Sequence, residues 1–146
     1  KPHDLAMTAR FWPVGVTPWP APGPQLWCRA DEAAAQMSWA GAISAVALVA
    51  DLPGCCSIDV WYRMIEAFVR NEVNSLGLVV DVAVHDPHLA GMAGPAHVHM
   101  LFSCREIGAG NFATFIKLSK EPATWSRWRC AWQALFDAQI GLVAAA

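Results

Sequence analysis

The chain has 146 residues, a net charge of −2, 55% apolar and 15% charged side chains. That length suits one domain with a substantial core, and the apolar, low-charge composition argues against disorder. The overall charge does not advertise a nucleic-acid binder, although Cys104 to Cys130 sets Arg105, Lys117, Lys120, Arg127 and Arg129 against Glu106 and Glu121, a locally basic stretch.

Residues 1–25 read as an extended Pro/Trp-rich arm. The prolines between Phe11 and Pro24 remove donors and restrict their neighbours, and Trp12 and Trp19 are expected to pack on the domain formed by residues 26–146. Helical character runs from Leu26 to about Trp39. The uncharged stretch Ala33 to Ala50 is long enough to raise a membrane span. Gln36, Ser38, Gly41 and Ser44 keep its hydropathy modest, so it reads as a helix tail followed by a buried strand, Ile43–Val49, stopped at Asp51-Leu52-Pro53-Gly54. Ser57 is placed as an N-cap with Asp59 in the first turn. The helix it opens stops at Gly77 and carries one apolar stripe, Trp61, Ile65, Phe68, Val69, Val73 and Leu76. Five cysteines without Cys-x-x-Cys spacing read as reduced thiols in a cytoplasmic protein, and adjacent Cys55 and Cys56 are not expected to bridge each other. No signal peptide is visible, and the start at Lys1 reads as a fragment or a processed form.

The segment 78–85 alternates Leu78, Val80, Val82 and Val84 with Val79, Asp81, Ala83 and His85, the period of a half-buried strand. Asp81 and His85 therefore share a face. Likewise Val98, Met100 and Phe102 form one face of the next strand and leave His97 and His99 together on the other, about 7 Å apart. Pro87, Gly91, Gly94 and Pro95 suit the connection between them. Antiparallel pairing across it sets His85 opposite the His97/His99 end and brings three imidazoles to one place. Three neutral imidazoles with open positions suit a catalytic or ligand-exchanging ion rather than a closed structural site. Nitrogen donors favour zinc, manganese, cobalt, nickel or copper. His88 and His3 are expected to be solvated. Gly108-Ala109-Gly110-Asn111 reads as a loop, and a last helix from about Pro122 aligns Trp125, Trp128, Trp132 and Leu135 as a core face rather than a base-stacking platform. The order of elements implies an α+β fold, an antiparallel sheet covered by helices.

From Leu26 onward the sequence resembles the MobA/MobL-type conjugative relaxases of the HUH endonuclease superfamily. The resemblance rests on Leu26-Trp27, Leu52-Pro53, Ile65 to Arg70, Leu76 to Pro87, His97-Val98-His99-Met100 and Trp128-Arg129-Cys130-Ala131-Trp132. It implies that His85, His97 and His99 are metal ligands for a divalent ion (Mn, Mg or Zn), with Asp81 behind them orienting an imidazole. It also implies nickase activity on single-stranded DNA at a plasmid transfer origin during conjugation, in company with other relaxosome proteins and with no membrane. In such enzymes a tyrosine hydroxyl attacks the phosphate polarised by the metal. The family's tyrosine precedes every stretch matched here, which reads as a truncated or degenerate relaxase with no catalytic nucleophile assigned, and Tyr62 reads as an amphipathic helix-surface residue. The loop also departs from the family, with Gly94-Pro95-Ala96 where Asn-Pro is common. Two alternatives stay open: a cupin-like metal enzyme, for which Glu106 lies too far from His-x-His, and a non-catalytic DNA-binding or interaction module with vestigial histidines.

Overall fold

The computed structural model describes residues 3–19, 23–37, 43–118 and 122–145. Its elements in chain order are β1 (Leu5–Phe11), α1 (Gly23–Ala35), β2 (Ala45–Asp51), α2 (Ile58–Phe68), β3 (Val80–His85), β4 (His97–Ser103), β5 (Arg105–Ile107), β6 (Phe112–Phe115) and α3 (Pro122–Ala144). β1, β3, β4 and β2 form one antiparallel sheet in that spatial order, and β5 and β6 form a separate ribbon. The architecture is α+β, as the order of elements implied.

The alternation in β3 and β4 separates the two faces of the sheet. Val80, Val82, Val84, Val98, Met100 and Phe102 are all buried and pack with Trp61, Ile65, Phe68, Val69 and Val73 of the α2 segment and Trp128 of α3. The Trp128 ring meets Phe68 edge-on at 6.1 Å and Phe102 at 5.2 Å, and Trp125 stands 5.2 Å away. Trp128 is therefore core, as the spacing suggested, while Trp125 and Trp132 are half-buried and pack against that core.

Ser57 stands at the N-cap in extended conformation, yet its side chain makes no capping bond; its carbonyl accepts from Val60 and Trp61. Beyond Phe68 the helix widens into a π turn over Val69–Val73 and tightens into a 3-10 turn over Asn74–Leu76. The wider turn keeps Val69 and Val73 on the buried stripe with Phe68. Gly77 closes the segment at φ +72°, a left-handed conformation that glycine adopts without a Cβ penalty.

Three expectations are corrected. Leu5–Phe11, placed in the arm, is a strand of the main sheet, paired to β3 from Leu5↔His85 to Phe11↔Val80; Pro24 falls in α1, and residues 12–19 after the strand, with Pro13 and Pro18, are irregular. There Trp19 is buried against Leu26, Val79 and Phe112, with Trp12 beside it. Second, β2 is not a buried strand. It is the edge of the sheet, hydrogen-bonded only to β4, and Val49 is 56% exposed. Third, the helix expected to run to about Trp39 already ends at Ala35, and Trp39 itself lies outside the described residues.

Truncating Trp128 to Ala should lower the free energy of unfolding by about 3–5 kcal/mol in urea titrations. Trp128→Phe should cost clearly less, because the indole N–H has no partner among the described residues.

Candidate functional site

The face of the sheet opposite α2 and α3 carries the polar side chains in cross-strand rows. One row runs His85, His97, Asp51 across β3, β4 and β2; the next runs Thr8, Ala83, His99, Val49; the third runs Arg10, Asp81, Leu101, Ala47. Residues directly opposite across an antiparallel pair have Cβ atoms about 4.5–5.5 Å apart. The register therefore converges His85, His97 and His99 without any further folding event.

The three ring centroids form a triangle with sides of 5.5 Å (His85 to His97), 5.2 Å (His85 to His99) and 5.2 Å (His97 to His99). A ring bound through nitrogen at about 2.1 Å has its centroid roughly 3.2 Å from the ion, so three such rings at near-tetrahedral angles stand about 5 Å apart. As the side chains stand, no three His, Cys, Asp or Glu groups among the described residues are set to hold an ion. The planes of His85 and His97 are nearly parallel, at 13°, and ligation to a common point requires a ring to turn about its Cβ.

The outer partners favour such a role. His85 Nδ1 is 3.1 Å from Asp4 Oδ2, and His97 Nδ1 is 3.1 Å from the Pro95 carbonyl oxygen. An acceptor on Nδ1 holds the proton there and leaves Nε2 with its lone pair for a metal, the arrangement usual behind ligating histidines. Between the histidines and the Arg10–Asp81 pair the face is concave, with a volume of ≈ 790 Å³ floored by Thr8, Ala47 and Ala83 and edged by His99.

A family model described as MobA/MobL family matches residues 1–139. The chain belongs to the MobA/MobL family. Among solved structures it is similar to the one described as "Molecular Basis of Vancomycin Resistance Transfer in Staphylococcus aureus", with a TM-score of 0.70 and 14% identity over 94% of this chain and 70% of that chain. At that identity the likeness is one of fold. No curated protein sequence matches the chain.

In this relaxase-like domain Asp81 does not sit behind the histidines. Four residues separate it from His85 along β3, about 13 Å of strand. Its carboxylate instead accepts from Arg10 Nε at 2.5 Å, Arg10 Nη2 at 2.7 Å and Trp27 Nε1 at 2.7 Å. It joins β1, β3 and α1 and closes one end of the concave face. The carboxylate that meets a histidine is that of Asp4, just before β1, which sequence reasoning left in the arm. The Pro95 carbonyl was missed as well, because a backbone acceptor carries no residue-type signal. His3 and His88 are exposed, and the His88 amide serves only to bond Asp86 Oδ1.

The electrostatics of this MobA/MobL site follow from the same proximity. Partial desolvation and the nearby charges that His85 and His97 would carry hold the His99 pKa below the usual 6.5. For Asp4, burial works against ionisation, but hydrogen bonds from His85 and its own backbone, with the charges of His85 and His97, outweigh it and lower the pKa below 3.8. Arg10 is pushed the other way by its bond to Asp81.

Both lowered values act in the same direction on stability. The His99 contribution is complete above pH 6.5 and falls as pH drops from 6.5 towards its folded pKa. The Asp4 contribution is complete above 3.8 and falls as pH drops through its folded pKa. In the metal-free protein the His99 ring resonances should therefore titrate with a midpoint below 6.5 by NMR, and His85→Ala should move that midpoint upward.

Proposed function

We propose that this domain lays single-stranded DNA of a plasmid transfer origin across its open sheet face and holds a divalent ion on His85, His97 and His99 for strand nicking. One observation carries the reading: three imidazoles converge on a face left open by the described residues, two of them with Nδ1 already engaged. Family membership supports the DNA class. Nitrogen donors favour Mn or Zn over Mg, which prefers oxygen.

When bound, such an ion supplies Lewis-acid polarisation of a phosphate oxygen. The protein's own side chains do the positioning. Asp4 and the Pro95 carbonyl fix the orientation of His85 and His97, and the small side chains Thr8, Ala47 and Ala83 let a nucleic-acid backbone approach the sheet closely. Arg10, its charge matched by Asp81, closes the far end of the same concavity. Among the described residues no helix is long and apolar enough to cross a membrane.

The attacking hydroxyl is not that of Tyr62, the one tyrosine in the sequence. Tyr62 is on α2, on the helix-covered side of the sheet, with its ring 6.0 Å from Phe11. Phe11 pairs with Val80, five residues along β3 from His85, about 17 Å away.

Calorimetric titration with Mn²⁺ or Zn²⁺ tests the ligand set. The double substitution His97→Ala/His99→Ala should weaken binding by more than about 100-fold, Asp4→Ala by about 10–100-fold, and Asp81→Ala by less than about twofold. Unchanged affinity in the double variant would favour vestigial histidines. The 146-residue polypeptide should retard a labelled transfer-origin oligonucleotide yet form no covalent DNA adduct on denaturing gels; an adduct abolished by Tyr62→Phe would overturn the placement of the nucleophile.

A further inference from the structure

The connection from β2 to α2, Leu52-Pro53-Gly54-Cys55-Cys56-Ser57, holds two thiols that the proposed reaction does not use. The Cys55 and Cys56 sulfurs are 3.9 Å apart. Cys55 is exposed and Cys56 half-buried, resting against the main core. Of the other cysteines, Cys104 is buried, and Cys28 and Cys130 lie on α1 and α3.

Two thiolates bound to one tetrahedral ion at about 2.3 Å have their sulfurs about 3.8 Å apart. The pair therefore already has the bite of a bidentate ligand. The turn that carries it is braced on both sides: the Cys56 amide donates to the Pro53 carbonyl at 3.1 Å, Trp61 Nε1 donates to the same carbonyl at 2.9 Å, and the Leu52 amide donates to Ala96 O at 2.9 Å.

We propose that Cys55 and Cys56 form a second metal site, a surface dithiolate that chelates a soft divalent d¹⁰ cation such as Cd²⁺ or Zn²⁺, with solvent completing its coordination. Each thiol loses its proton to solvent and two S–metal bonds form, so one divalent ion displaces two protons and no oxidant is needed. Because both thiols must lose their protons to ligate, binding strengthens as pH rises. The site adjoins the histidines through the backbone: Leu52 is bonded to Ala96, the residue before His97, and Asp51 is paired with His97.

The test uses the full chain with Cys28→Ser, Cys130→Ser, His97→Ala and His99→Ala as background, which removes the exposed single thiols and the histidine pair. Titration with Cd²⁺ should produce an ultraviolet thiolate-to-cadmium charge-transfer band that saturates at one ion per chain, with two thiols lost to a maleimide reagent. Cys55→Ser and Cys56→Ser should each weaken binding by more than about tenfold, and the pair together should abolish the band. Cys55→Ala with Cys56→Ala, checked for folding by circular dichroism, guards against a serine-specific effect. No band in the background protein, a band surviving both double variants, or saturation at half an ion per chain would overturn the proposal. These outcomes are independent of the histidine site, two of whose three ligands the background lacks.

Discussion

Pairing of β3 with β4 in a register that sets His85 opposite His97 is the constraint on which the remaining structure depends. Because side chains alternate across a strand, that one register commits Val80, Val82, Val84, Val98, Met100 and Phe102 to the core and delivers all three imidazoles to the other side. A slip of one residue would bury the histidines and expose the valines. The burial of the apolar face thus holds the histidine geometry in place, at a distance, without touching it.

The two faces are used unequally. α2 and α3 cover one face with aromatic packing centred on Trp128, Phe68 and Phe102. On the other face, among the described residues, only one end is covered, by α1, Trp19 and the β5–β6 ribbon around Val79. Between that small cluster and the histidines the face is lined by the short side chains of Thr8, Ala47 and Ala83. Arg10–Asp81–Trp27 marks the boundary between covered and open, a polar clamp joining three elements where the sheet meets α1.

Two carboxylates illustrate how position outweighs residue type. Asp81 shares a strand face with His85, and the family resemblance implied that it orients a histidine, but four residues of extended chain place it beyond reach. Asp4 is distant in sequence by 81 positions from His85 and is brought to it because β1 runs antiparallel to β3. The Asp4 main chain accepts from the Asp86 amide at 2.8 Å, so the same turn that ends β3 anchors the carboxylate behind its last residue.

The period-2 patterns of 78–85 and 97–102 carried the strands, their faces, their pairing and the convergence of the three histidines, because strand alternation is a local property and the connection between them is short. The apolar stripe from Trp61 to Val73 and the stop at Gly77 were legible for the same reason. What the tertiary structure decided was non-local: that Leu5–Phe11 completes the sheet, that β2 is an edge, and that Asp4 rather than Asp81 backs a histidine. Strand partners far apart in sequence are chosen by the burial of the whole sheet and by loop closure, which no window of neighbouring residues records.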